Sequence, residues 1–84
     1  MTILVSHEPA TGAELWRGTA SNVDAAVAAA REAWPNWAAA PLTDRVTMIR
    51  SFGNKVKADL ESFADLIARE TGKPMWEARN EVEF

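Results

Sequence analysis

The strongest constraint on the fold of this 84-residue chain is an apolar stripe in its second half. Its members follow one another at alternating intervals of three and four residues: Val46, Ile49, Gly53, Val56, Leu60, Phe63 and Ile67. That spacing places them on one face of an α-helix, and this face must be covered by another element. The stripe predicts helical structure from about residue 43 to about residue 71.

Two details within the stripe bear on how it packs. Gly53 costs roughly 1 kcal/mol relative to Ala in a helix interior, and we interpret it as the site of a close helix crossing. Asp59 could cap a new turn, so we expect helices at about 43–57 and 59–71, or one continuous helix. The heptad spacing also suits a coiled coil, but a glycine in the seam and the lack of a clear flanking charge pattern favour packing within the chain.

The N-terminal part predicts a β-hairpin over about residues 2–18. The segment 2–5 is β-prone, and the segment 14–18 can form a returning strand. Between them, Pro9 restricts φ and Gly12 is free to adopt a positive φ, as a tight turn requires.

The remaining segments predict a helix on each side of the apolar stripe. Ser21, with Asp24 three residues later, is typical of a helix start, and Pro35 should end that helix, giving bounds of about 21–34. Gly72 should stop the helix before it, and Pro74 suits the first turn of a last helix at about 74–84.

Composition excludes several kinds of catalytic and binding site. The chain contains no cysteine and one histidine, so it can form neither a thiolate nucleophile nor a zinc–thiolate site. The net charge of −3 and the scattered basic residues argue against nucleic acid as a partner. Because no apolar run approaches the roughly 20 residues that span a bilayer, we expect no membrane partner and a cytoplasmic location.

Some residues could carry chemistry, but each has a simpler interpretation. His7 could bind a metal, although a lone histidine without neighbouring ligands is more often structural. Glu77 and Glu81 are spaced like a carboxylate pair of a di-metal helical bundle, but the matching histidines are missing. The Gly72–Lys73 pair lacks the upstream glycines of a phosphate-binding loop, so we interpret Gly72 as a helix stop.

Tryptophan is unusually frequent, with four in the chain. Trp34 and Trp37 could stack on a ligand. We favour packing against the second helix, because Trp34 continues an apolar stripe that begins at Val23. The large apolar side chains are few for a stable core, so some of them are expected to face another domain or subunit.

The order of these features resembles the N-terminal part of the aldehyde dehydrogenase family. Glu8–Glu14 is similar to the Asn-Pro-Ala-Thr-Gly-Glu turn of that family, with Glu8 in place of the usual Asn. Further similar stretches are Ala28–Trp37, Leu42–Arg45, Ile49–Arg50, the Glu-Thr-Gly-Lys-Pro motif at Glu70–Pro74, and Glu81–Val82. Leu15–Trp16 and Trp76–Ala78 resemble the branch that oxidises succinylglutamate semialdehyde, an intermediate of arginine breakdown, with NAD.

The resemblance implies a mainly α fold, in which a β-hairpin is followed by three or four packed helices. It also implies that the chain is a single segment of a larger α/β enzyme. It implies NAD for the parent enzyme and no cofactor in this segment. The family's dinucleotide-binding units, catalytic Cys, general-base Glu and oxyanion-hole Asn all lie beyond Phe84, so no catalytic, cofactor-binding or metal-binding residue is expected here. The partner would be the rest of the parent enzyme. The alternative is a free-standing helical module that self-associates through its Trp residues and the apolar stripe.

Overall fold

The fold, described for residues 2–84 by a computed structural model, is a β-hairpin followed by four helices. In chain order the elements are β1 (Ile3–His7), β2 (Glu14–Thr19), α1 (Val23–Ala39), α2 (Leu42–Ala58), α3 (Leu60–Thr71) and α4 (Met75–Glu83). This confirms the expected hairpin followed by a helical remainder.

The hairpin is antiparallel, with a register irregularity between Ser6 and His7. Its turn is held by the Glu8 carbonyl, which accepts the Gly12 N–H at 2.7 Å, while the Glu8 N–H donates to the Ala13 carbonyl at 2.8 Å. Gly12 has a φ of 78°, the left-handed conformation that the turn was expected to need. The register places Ser6 directly opposite Trp16.

Helix α1 differs from its predicted bounds at both ends. Its N-cap is Asn22, not Ser21, and the Asn22 side chain accepts the Ala25 N–H at 3.1 Å. The helix continues through Pro35 to Ala39 instead of ending at Trp34. A proline inside a helix removes one hydrogen bond. The added turn places Trp37 in a cleft that it lines together with Leu42, Val46 and Ile49 of α2.

Two helices, α2 and α3, replace the continuous helix that the stripe alone allows. Only Asp59 separates them, with φ −104° and ψ 23°. Its side chain makes no capping hydrogen bond; instead its carbonyl accepts the Phe63 N–H at 3.0 Å. The break therefore depends on backbone geometry, not on the side-chain cap that the sequence suggested.

The connection from α3 to α4 follows the predicted pattern. Gly72 adopts a φ of 80°, and its N–H donates to the Ala68 carbonyl at 2.8 Å. Pro74 occupies the N-cap position of α4, where its missing N–H costs nothing. The chain thereby reverses direction within a few residues, and α4 lies against α3.

The centre of the fold is the contact between α3 and α4. Ala64 on α3 and Ala78 on α4 are the fully buried apolar residues among residues 2–84, each with no exposed surface. Small side chains at both positions let the two helix backbones approach closely. Arg79 of α4 adds two hydrogen bonds to the Glu61 carboxylate of α3, at 2.7 and 3.3 Å.

The apolar stripe is covered only in its C-terminal half. Val56, Leu60 and Ile67 are half-buried, whereas Ile49 on α2 is 61% exposed. A Cβ added at Gly53 would meet no atom within 4 Å. The predicted close crossing at Gly53 is therefore wrong within residues 2–84.

The overall shape is a thin slab of 48 × 35 × 14 Å. The radius of gyration is 17.0 Å, against about 12 Å for a compact domain of this length. The accessible surface is 6897 Å², against about 4,900 Å² for a compact protein of 9.2 kDa. About 2,000 Å² of surface therefore stays exposed that a compact fold would bury.

Enlarging Ala78 tests the α3–α4 contact. We expect Ala78→Leu to lower the free energy of unfolding by about 1–3 kcal/mol, because the buried site has no room for three more carbons. Urea unfolding followed by circular dichroism would measure this. The control is Ala29→Leu on the exposed α1; an equal loss in both variants would contradict the assignment of the core.

Candidate functional site

The most developed polar site joins the hairpin to the end of α3. Ser6 and Trp16, paired across the hairpin, present their side chains on the same face of the sheet. The Ser6 hydroxyl and the Trp16 indole N–H both donate to Oε1 of Glu70, at 2.6 and 2.5 Å. One carboxylate oxygen thus connects both strands to α3.

An ion pair extends this site toward the hairpin turn. Arg69 Nε lies 3.2 Å from Glu8 Oε2, and the Glu8 side chain is only 17% exposed. Thr11 donates its hydroxyl to Glu8 Oε1 at 2.7 Å and so orients the carboxylate. We call this set of residues, Ser6, Glu8, Trp16, Arg69 and Glu70, the hairpin junction.

The electrostatics of the hairpin junction indicate that Glu70 holds the hairpin in position. The hydrogen bond from Ser6, and next that from Trp16, lower the pKa of the Glu70 carboxyl below its ordinary value of 4.5. A carboxylate whose pKa is lowered in this way is a weaker proton acceptor at neutral pH, the opposite of what a general base needs. Glu70 is therefore suited to positioning the hairpin, not to moving protons.

Two open clefts lie on the helical part. The first, about 600 Å³ in volume, lies between α2 and α4; we call it the Gly53 groove, and its apolar lining is Phe52, Gly53, Val56, Leu60, Val82 and Phe84. The second, about 530 Å³, lies where α1 meets α2 and is lined by Trp37, Leu42, Val46 and Ile49 with Arg45 and Arg50. The lining of the second cleft is mainly apolar, whereas Lys57 and Glu83 also line the first. Apolar surface of this kind is often covered by other protein segments.

The candidate residues from the sequence do not come together into one site. His7 lies exposed at the end of β1, opposite Glu14. Lys73 Nζ lies 2.9 Å from Glu81 Oε2, so this lysine and this carboxylate form an ion pair with each other. Across residues 2–84 there is no group of three or more His, Cys, Asp or Glu side chains arranged to hold a metal ion.

The two tryptophans of α1 have different surroundings. Trp37 is 41% exposed and lines the cleft against α2, as packing against the second helix predicts. Trp34 is 62% exposed and does not line that cleft, so the prediction that it packs against α2 is wrong. The added turn of α1 beyond Pro35 explains the difference, because it is Trp37 that reaches the neighbouring helix.

Sequence reasoning missed the role of Glu70. The residue was visible as the first position of the Glu-Thr-Gly-Lys-Pro motif, but its partners Ser6 and Trp16 lie 64 and 54 residues away. The alternation of the hairpin could have placed Ser6 and Trp16 on one face. Nothing in the spacing could have shown which helix that face meets.

The glycines with positive φ do not fit a nucleotide-phosphate site. Gly12 serves the hairpin turn and Gly72 ends α3, and neither precedes a helix in the manner of a phosphate-binding loop.

Comparison with known proteins identifies the family. The sequence profile described as the aldehyde dehydrogenase family matches residues 2–84. The chain belongs to the aldehyde dehydrogenase family. The resemblance seen at Glu8–Glu14 and Glu70–Pro74 is thereby confirmed.

Individual relatives show which members of the family the chain is similar to. The chain is 65% identical over 80 residues to an N-succinylglutamate 5-semialdehyde dehydrogenase of Sphingopyxis alaskensis, covering 95% of this chain and 17% of that protein. It is 58% identical over 80 residues to the enzyme of the same name from Novosphingobium aromaticivorans, with the same coverage, 95% and 17%. The counterpart from Chromobacterium violaceum is 48% identical over 82 residues, covering 94% of this chain and 17% of that protein. The chain thus spans about a sixth of the length of these curated relatives.

The helices give no indication of a membrane span. None of those in the part of the chain that the structure describes is both long and apolar enough to cross a bilayer.

Removing Glu70 tests whether the hairpin junction holds the hairpin. We expect Glu70→Ala to release the hairpin from α3, because the Ser6 hydroxyl and the Trp16 indole lose their shared acceptor. The indole N–H resonance of Trp16 should move toward its position in a solvated indole. Glu77→Ala on the exposed face of α4 is the matched control, and an unmoved Trp16 resonance in the Glu70 variant would refute the assignment.

Acidification should release the same contact. Because the pKa of Glu70 is lowered in the folded state, its contribution to stability is present above pH 4.5 and is lost as the pH falls through the lower folded value. A titration of the Trp16 indole resonance should therefore show its transition below pH 4.5. Glu70→Gln should remove this transition and leave those of other carboxyls; if it persists unchanged, Glu70 is not its source.

Proposed function

We propose that this chain is the N-terminal scaffold of an NAD(P)-dependent aldehyde dehydrogenase. The parent enzyme would oxidise succinylglutamate semialdehyde, or a similar semialdehyde, in arginine breakdown, while these 84 residues would carry none of the chemistry. The observation that carries the proposal is the 65% identity over 80 residues to the Sphingopyxis alaskensis enzyme.

The residues typical of this branch occupy structural positions in the fold. Trp16 donates to Glu70 in the hairpin junction, and Ala78 is fully buried against α3. These residues position the hairpin and α4, and neither holds a reacting group. Sequence similarity at such positions supports a shared scaffold, and the substrate follows from the relatives by similarity alone.

The surface supports a scaffold that lies against other protein. About 2,000 Å² stays exposed beyond what a compact protein of this size shows. Large apolar side chains such as Val23, Met48 and Trp76 are each at least 61% exposed. The rest of the dehydrogenase would cover this surface and would contribute the dinucleotide site and the catalytic groups. A cytoplasmic location is part of the same proposal.

A chimeric enzyme tests the parent activity. The matching 80 residues of the Sphingopyxis alaskensis enzyme would be replaced by the corresponding residues of this chain. We expect NAD-dependent oxidation of succinylglutamate semialdehyde at a rate comparable with that of the unmodified enzyme, because the scaffold contacts are shared. A chimera that is folded but inactive on this substrate, while the unmodified enzyme is active, would contradict the proposal.

The isolated 84-residue chain should not bind the cofactor. Its glycines form a turn and a helix stop, and it contains no cysteine for the chemical step. Isothermal titration with NAD should give only heats of dilution, with the chimeric enzyme as the positive control. Saturable binding of NAD by the isolated chain would disprove the assignment of a purely structural role.

A further inference from the structure

Gly53 is an unexplained feature of α2. It lies in the interior of a 17-residue helix, where glycine is less favourable than almost any other residue. It is not needed for a positive φ, since in residues 2–84 only Gly12 and Gly72 adopt one. A Cβ at this position would meet no atom within 4 Å. Neither backbone conformation nor packing within residues 2–84 accounts for the missing side chain.

The surroundings of Gly53 form a mainly apolar groove. Phe52 lies beside it with 68% of its surface exposed, and Val56 and Leu60 continue the same face of the helical region. Val82 of α4 forms the opposite wall. Lys57 and Glu83 also line the groove, so its lining is mixed, with the larger part apolar. A glycine in such a lining allows another helix backbone to approach closely.

We propose that a helix of the same full-length dehydrogenase, outside these 84 residues, crosses α2 at Gly53 and fills the Gly53 groove. This inference rests on the proposed function, because it takes its partner from the remaining polypeptide of that enzyme. It assigns the glycine its role: the absent Cβ provides the space for the crossing backbone. The N-terminal half of the apolar stripe, exposed in the isolated fold, is then covered by the same helix.

The exposed area favours an extensive, permanent contact. A standard protein–protein interface buries about 800 Å² on each partner. The surplus surface of this chain, about 2,000 Å², is about two and a half times that area. An area of this size is typical of a domain core, which agrees with a covering segment from the same polypeptide.

Covalent connection distinguishes that polypeptide from a second copy of this chain. Phe84 lines the Gly53 groove, so in a protein of the relatives' length the residues after it would begin beside the groove. The relatives supply such residues in number, because the 80 matched residues are only 17% of their length. A tethered segment acts at an effective concentration in the millimolar range, which a separate copy at micromolar concentration does not reach.

The test compares substitutions on two faces of α2 in the chimeric enzyme. Gly53→Leu introduces a large side chain into the crossing. Ser51→Leu introduces the same side chain about 200° away around the helix, where it faces away from the groove. We expect Gly53→Leu to lower the thermal midpoint of the chimera by about 2–10 °C more than Ser51→Leu does. Gly53→Ala should give a smaller decrease, and keeps the test usable if the Leu variant does not fold.

In the isolated 84-residue chain we expect Gly53→Leu not to be destabilising. There nothing lies near Gly53, so Gly53→Leu should leave the helix content equal or higher, because leucine is the better helix former. Equal thermal midpoints for the Gly53→Leu and Ser51→Leu chimeras would overturn the crossing. The crossing would also be overturned if the isolated chain formed a dimer and Gly53→Leu dissociated it, because the occupant of the groove would then be a second copy.

The outcomes separate this inference from the proposed function. A folded chimera that lacks activity but is destabilised selectively by Gly53→Leu would support the crossing and contradict the proposed substrate. An active chimera that tolerates Gly53→Leu as well as Ser51→Leu would support the proposed function and overturn the crossing.

Discussion

The close contact of α3 and α4 across Ala64 and Ala78 is what the rest of the structure depends on. Within residues 2–84 they are the only apolar residues that are fully buried, and their small size lets the two helix backbones approach each other closely. Alanine contributes little apolar area, so this contact stabilises the fold far less than a core of leucine or phenylalanine would. The hairpin is joined to α3 by polar contacts, because this small core does not extend to it.

The hairpin shows how a polar contact replaces a core. A two-stranded hairpin is marginal in water, and this one has exposed Ile3, Leu4 and Val5 along β1. It is attached by Glu70, which accepts from both strands, and by the Arg69–Glu8 pair. Hydrogen bonds fix orientation well but contribute modestly to stability, so the hairpin junction determines where the hairpin lies more than how firmly it is folded.

Much of the local structure was predictable from the residues. Gly12 and Gly72 adopt the positive φ expected of them, because only glycine does so without strain. Two local predictions were wrong, the N-cap at Ser21 and the side-chain cap at Asp59, and the other failures were non-local. Pro35 did not end α1, which continues past Trp37 in the cleft beside α2, and no crossing was found at Gly53 within residues 2–84. The hairpin junction could not be predicted either, because its partners are more than fifty residues apart in the sequence.

The sequence by itself determined the elements, the lack of thiolate chemistry and the family, because each depends on residue identity and short spacing. The tertiary structure alone decided that Glu70 joins the hairpin to α3 and that Ala64 and Ala78 are fully buried where α3 and α4 pack together. It also decided that half of the stripe stays exposed and that no atom lies within 4 Å of a Cβ placed at Gly53. The physical reason is that periodicity specifies which face of a helix is apolar, whereas the surface that covers this face depends on chain directions and distances between separate elements.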